Sequence, residues 1–178
     1  MIKLAIASAL TLAAFSASAQ MYGEVGVSAV TYEESFQGNK LKSSPVAIRG
    51  IFGYEINPNF AVEGLVAFGM SDDDVKLNGN TVARSNFKVD NVFGIYAKPK
   101  VKLTPELEGF VRAGFAQSKG TASLNGQSSS ASESGFSYGL GLNYALNKTT
   151  SLNVDYMSYL DKNESKATGF TFGVGYKF

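Results

Sequence analysis

Gly169-Phe-Thr-Phe-Gly-Val-Gly-Tyr-Lys-Phe178 is the stretch on which the fold turns. Phe170, Phe172, Val174, Tyr176 and Phe178 occupy every second position, with Thr171, Gly173, Gly175 and Lys177 between them. A period of two is that of a strand, here with one aromatic and aliphatic face and one small or polar face.

The same period runs back through the chain. Residues 21–29 place Met21, Val25 and Val27 against Tyr22, Glu24 and Ser28; residues 46–56 place Ile48, Phe52 and Tyr54 against Arg49, Gly53 and Glu55. Residues 60–70, 84–102, 107–115, 136–146 and 152–160 continue the pattern, so the terminal strand is the eighth. In residues 84–102, Phe87, Val89, Phe93 and Ile95 read as one face and Lys88, Asp90, Tyr96, Lys98 and Lys100 as the other. Short turns at Asn57-Pro58-Asn59, Thr104-Pro105-Glu106 and 147–150 alternate with polar stretches at 33–43, 71–83, 119–133 and 161–166, which read as loops. That alternation predicts an up-and-down meander with one short-turn rim and one long-loop rim. The glycines of the later strands gather on the charged face, where they leave room in a narrow interior.

Periodicity alone does not say which face is inside. A soluble lipocalin-like ligand-binding barrel buries its apolar face; a membrane barrel shows it to lipid. Two features favour the membrane. Tyr22, Tyr54, Phe60, Tyr144 and Phe178 lie near strand ends, where interfacial girdles form. An eight-stranded barrel is only just filled by side chains, and this many Phe, Tyr, Leu and Val turned inward would overfill it.

The 178 residues suffice for one domain and contain no Cys, His or Trp. Disulfide and thiol chemistry are excluded, and the commonest general base is missing. A net charge of +1 gives no reason to expect nucleic acid. Met1-Ile2-Lys3, the apolar run 4–15 and Ala17-Ser18-Ala19 read as a cleaved export signal over residues 1–19, leaving a barrel domain over 20–178. The rest has no apolar run of ~18 residues, so any crossing of a bilayer is by strands.

Several pieces, taken in order, resemble the small outer-membrane β-barrels of Gram-negative bacteria, the OmpA/OmpX-like and opacity-protein-like porin family. They are Tyr22-Gly-x-Val-Gly-Val27, Gly53-Tyr-x-Ile-Asn-Pro-Asn59 with Ala61-Val-Glu-Gly64, Leu103-Thr-Pro105 before Arg112-Ala-Gly-Phe115, and Tyr138-Gly-Leu-Gly-Leu-Asn-Tyr144. The last is the closing strand, where Phe170, Phe172, Val174, Tyr176 and Phe178 resemble the family's assembly signal. The resemblance implies an all-β, eight-stranded antiparallel up-and-down transmembrane β-barrel in the outer membrane. It further implies a monomer among lipid and lipopolysaccharide that is inserted by the barrel-assembly machinery. The chain departs from larger OmpA-like proteins in ending at the barrel, so anchoring of the cell wall is not expected.

Glu24, Arg49, Glu63, Arg112 and Asp155 are the candidate interior residues, because charges in a narrow lumen have to be paired. Arg49 and Glu63, on strands joined by the Asn57-Pro58-Asn59 turn, read as partners. Their bland role is a structural ion-pair plug; their sharper one is a conduction path. Lys98, Lys100 and Lys102 read as solvation of the lumen or rim. Asp72-Asp73-Asp74 lacks the spacing of a Ca²⁺ loop, and Gly139-Leu-Gly-Leu-Asn143 lacks the helix of a nucleotide site. No catalytic residue, metal or cofactor is expected. The expected function is envelope integrity or surface interaction through external loops, with a narrow porin-like channel for small solutes as the alternative.

Overall fold

The computed structural model describes residues 21–36, 38–162 and 165–178. Residues 1–19, read above as an export signal, lie outside the described residues. The described chain is all antiparallel strand: β1 (Met21–Phe36), β2 (Asn39–Ser43), β3 (Val46–Asn57), β4 (Phe60–Gly69), β5 (Asp73–Leu77), β6 (Asn80–Lys102), β7 (Leu107–Leu124), β8 (Gln127–Ala145), β9 (Thr150–Lys162) and β10 (Ser165–Lys177).

Neighbours pair in the order β10-β9-β8-β7-β6-β4-β3-β1, and β10 pairs back onto β1, closing a ring of eight. At the seam Gly23 stands opposite Tyr176 and Val27 opposite Phe172, and the Phe178 N–H donates to the Met21 carbonyl at 2.9 Å. Closure removes every edge within the membrane span, the condition for a sheet to sit in lipid.

β2 and β5 are outer pieces of two broken strands. Pro45, which cannot donate to a ladder, separates β2 from β3, and residues 70–72 separate β4 from β5. β2 continues the pairing with β1 (Tyr32 opposite Ser43) and joins β5 (Leu41 opposite Leu77). The stretches 33–43, 71–83, 119–133 and 161–166, expected as loops, are therefore mostly strand. β7 and β8 pair without a break from Leu107 opposite Tyr144 to Leu124 opposite Gln127. Outside the membrane both faces of a strand meet water, so alternation of apolar and polar residues disappears although the ladder continues.

Polarity across the wall is that of a membrane barrel. Phe52, Ile95, Phe115, Leu140, Phe170, Phe172 and Val174 are about half or more exposed on the outside, while Glu24, Arg49, Glu63, Arg112 and Asp155 are buried inside. The lipocalin-like alternative, with its apolar face inward, is corrected by that orientation. The short turns and both ends of the barrel chain share one rim, the long hairpins the other; in outer-membrane barrels these rims are periplasmic and extracellular.

β6 departs from continuous alternation. A bulge between Val89 and Asn91 drops Asp90 from the β6–β7 backbone register, while its side chain accepts a hydrogen bond from the Thr121 hydroxyl of β7 at 2.7 Å. One extra residue exchanges the two faces of a strand. Val92, Tyr96 and Lys98 point inward below the bulge; above it Val89 is buried and Lys88 exposed, the reverse of the face assigned from sequence.

Candidate functional site

Taken around the ring as a whole, the interior residues change character with height. Near the short-turn rim they are charged; toward the long hairpins they are apolar.

The charged storey is built around Arg112 on β7, which is fully buried. Its guanidinium donates from Nε to Glu63 Oε2 at 2.5 Å, from Nη1 to Asp155 Oδ2 at 2.8 Å and from Nη2 to Glu24 Oε2 at 2.7 Å. A planar group with five fixed N–H donors is suited to tying together carboxylates from three strands. Arg49 on β3 donates from both terminal nitrogens to Asp155 and from Nη1 to the Tyr159 hydroxyl at 3.4 Å. Lys98 on β6 lies 3.1 Å from Glu24 Oε1 and 2.9 Å from Glu63 Oε1. Three cations thus face three carboxylates, and the cluster carries no net charge.

The sequence nominated Glu24, Arg49, Glu63, Arg112 and Asp155, and all five lie in this cluster. The pairing of Arg49 with Glu63 does not occur. Their strands are adjacent, but Arg49 stands opposite Ala67 and Glu63 opposite Gly53, so the two residues sit at different heights. Arg49 instead crosses the lumen to β9, and Glu63 takes Arg112 and Lys98. Lys98 was read as solvation and is a full member of the cluster. Its sequence signal was its place on the charged face of β6, two residues beyond the inward Tyr96.

Aromatic rings and glycines complete this layer. Tyr22, read as a girdle residue, is buried inside and donates its hydroxyl to Glu63 Oε1 at 2.6 Å. Its place in the alternation, on the side of Glu24, outweighs its nearness to the strand end. Phe110 supplies a ring face 4.4 Å from Lys98 Nζ and 4.4 Å from the Arg112 guanidinium carbon. Gly141, opposite Phe110 on β8, leaves the space that ring fills: a Cβ there would lie 2.5 Å from Phe110 Cζ.

Below the cluster, Lys100 meets Glu55 and Glu108 (2.5 and 3.3 Å), and Lys177 meets Glu55 at 3.0 Å, while Lys102 is exposed at the rim. Asp73, read as part of an acidic loop, accepts a hydrogen bond from the Ser44 backbone N–H at 2.7 Å.

The apolar storey holds Val30, Ala47, Ala67, Val89, Val92 and Tyr159. It encloses a cavity of about 90 Å³ beneath the external mouth. Tyr32 of β1 and Phe87 of β6 stack there with ring centroids 4.7 Å apart and planes 16° from parallel. Burial pushes the Tyr32 phenol above its ordinary pKa.

The outer membrane protein beta-barrel domain model matches residues 2–178 of this chain. Solved structures similar to it include Ail, the attachment invasion locus protein of Yersinia pestis, in complex with the heparin analogue sucrose octasulfate. That match has 20% identity and a TM-score of 0.65, over 91% of this chain and 100% of the other. Neisserial surface protein A matches at 18% identity and TM-score 0.67, over 91% and 100%. OprG from Pseudomonas aeruginosa matches at 15% and 0.63, over 90% and 96%. At such identities the likeness shows the fold. No curated protein sequence matches the chain.

Proposed function

Because this chain belongs to the outer-membrane β-barrel family, we propose that it is a non-enzymatic, monomeric barrel whose closed interior serves anchorage and whose external hairpins carry a surface-interaction or envelope-integrity role. The observation that carries this reading is the union of two features in one molecule: a lumen blocked by six mutually paired charged side chains, and β7–β8 strands that project as a paired hairpin to Asn125-Gly126. A lumen with its charges tied to one another offers no continuous water column, which argues against the narrow-channel alternative.

Among the described residues the lumen carboxylates Glu24, Glu63 and Asp155 are each engaged by a cation, so none of the three is a free base for a neighbouring nucleophile. The sulfated ligand of Ail is not carried over. The external strands interleave Lys40, Lys42 and Lys76 with Glu33, Glu34 and Asp73, and so present no single-sign surface to a polyanion. The reading includes removal of residues 1–19 on export and insertion through the terminal strand.

The test compares cells lacking the protein with cells carrying either the full chain or a chain whose 119–133 segment is cut to a tight turn. The reading expects both forms to run faster on a denaturing gel before boiling than after, and only the full chain to restore surface binding or detergent resistance. Stepwise single-channel conductance from the purified full chain in planar bilayers would overturn it.

A further inference from the structure

We propose that the cavity beneath the external mouth is a binding site for a small, neutral, apolar molecule no larger than one ring, such as a monocyclic aromatic or a short alkane. Its floor and walls come from Ala47, Ala67, Val92, Tyr159 and Ala167. The Tyr32–Phe87 stack forms a flat wall, and these rings come from strands that are not hydrogen-bonded neighbours, so they meet across the mouth.

Three observations fix the class of guest. First comes size. At about 90 Å³ the space exceeds the ~10–15 Å³ needed for one water, and its mostly apolar lining gives a benzene-like guest more contact than it gives ordered water. Second is charge. Among the described residues the charged ones in the lining, Lys119 and Glu133, are of opposite sign and lie at the lip on β7 and β8, so neither an anion nor a cation is favoured. Third is access. Below the cavity the Arg49–Asp155 pair and the Arg112 cluster fill the lumen, so a guest enters and leaves from outside and is held rather than passed through. Burial of such a guest against apolar walls and an aromatic face follows the ordinary hydrophobic drive.

The experiment uses the full barrel in lipid nanodiscs with fluorobenzene as the probe, followed by ¹⁹F NMR against nanodiscs without protein. A saturable shift that toluene reverses is expected for the native chain, and its loss is expected in Ala47→Leu, which fills the floor. If Ala47→Leu does not give the heat-modifiable folded band, Ala131→Phe at the lip decides the question by the same readout. A signal that rises without saturating and equals that of empty nanodiscs would overturn the proposal, as would an undiminished saturable shift in the filled, folded variant.

Discussion

The ring of Tyr22 lies over Gly53, its cross-strand partner, so closely that a Cβ at Gly53 would come within 2.1 Å of Tyr22 Cζ. Gly53 in turn stands opposite Glu63, and the Tyr22 hydroxyl reaches that carboxylate over the gap the glycine leaves. A glycine in a strand interior is ordinarily a weakness; here it is what lets a neighbouring ring cross the strand. Gly53→Val therefore expels Tyr22 from its seat and exposes Glu63 to partial loss of its donors. The expected outcome in urea unfolding of the refolded barrel is a drop of about 2–4 kcal/mol, the range for disrupting a packed, hydrogen-bonded core site. Tyr22→Phe, which keeps the ring and removes the donor, is expected to lose only about 1–2 kcal/mol. Equal losses in the two variants would mean the glycine gap is immaterial.

Arg112→Met leaves Glu24, Glu63 and Asp155 with too few cations in a closed lumen. Removing one partner of a buried ion pair costs about 3–5 kcal/mol, because the charge left behind is uncompensated. The loss is expected to be partly recovered by Glu63→Gln in the same chain, with a coupling of about 0.5–3 kcal/mol between the two positions. Urea midpoints of the two single variants and the double variant measure it. Additive losses would show that Arg112 acts by volume rather than by charge.

The alternation that identified the strands is imposed by the environment, and it was legible only where the environment differs across the wall. Between lipid and lumen, Val25, Phe52 and Phe172 cannot exchange places with Glu24, Arg49 and Thr171, so both the span and the inward residues could be read from sequence. Above the membrane both sides are wet, and β7 and β8 continue through Ser128-Ser129-Ser130 with no hydrophobic signal. One local signal did survive: Asn-Gly at 78–79 and 125–126, the dipeptide of a two-residue hairpin turn, with all four residues at positive φ. Nor does sequence state the stagger of a barrel, which carries Arg49 to Asp155 on β9 rather than to Glu63 on the next strand. The Asp90 bulge, a single residue skipped in the ladder, was hidden for the same reason.

The Asn125-Gly126 turn is separable from the barrel beneath it. Gly126 has φ +82°, which an L side chain adopts at a cost of about 1–2 kcal/mol. Gly126→Val is expected to speed hydrogen exchange of the amides in residues 119–133 by roughly five- to thirtyfold, the equivalent of that cost. The urea midpoint of the whole barrel should stay unchanged, since the membrane span loses no contact. A falling midpoint would mean that the hairpin and the span unfold as one unit.

Phe178 distinguishes a stability role from an assembly role for the closing strand. Its side chain is 71% exposed and its ring packs edge-on against Tyr176, with centroids 5.5 Å apart. Its backbone N–H bonds Met21 whatever the side chain, so Phe178→Ala keeps the seam. Removing a lipid-facing ring at the strand end is expected to cost the refolded barrel no more than about 1–2 kcal/mol of apolar burial. Recognition by an insertion machinery would depend on the ring itself, because an exposed aromatic beside the closing strand is available to a partner before the barrel closes. In pulse-labelled cells the variant is accordingly expected to reach the outer membrane several times more slowly than the native chain, while the two unfold at nearly the same urea concentration. A matching loss in both measurements would assign Phe178 to stability alone, and unaltered insertion would remove it from the assembly signal.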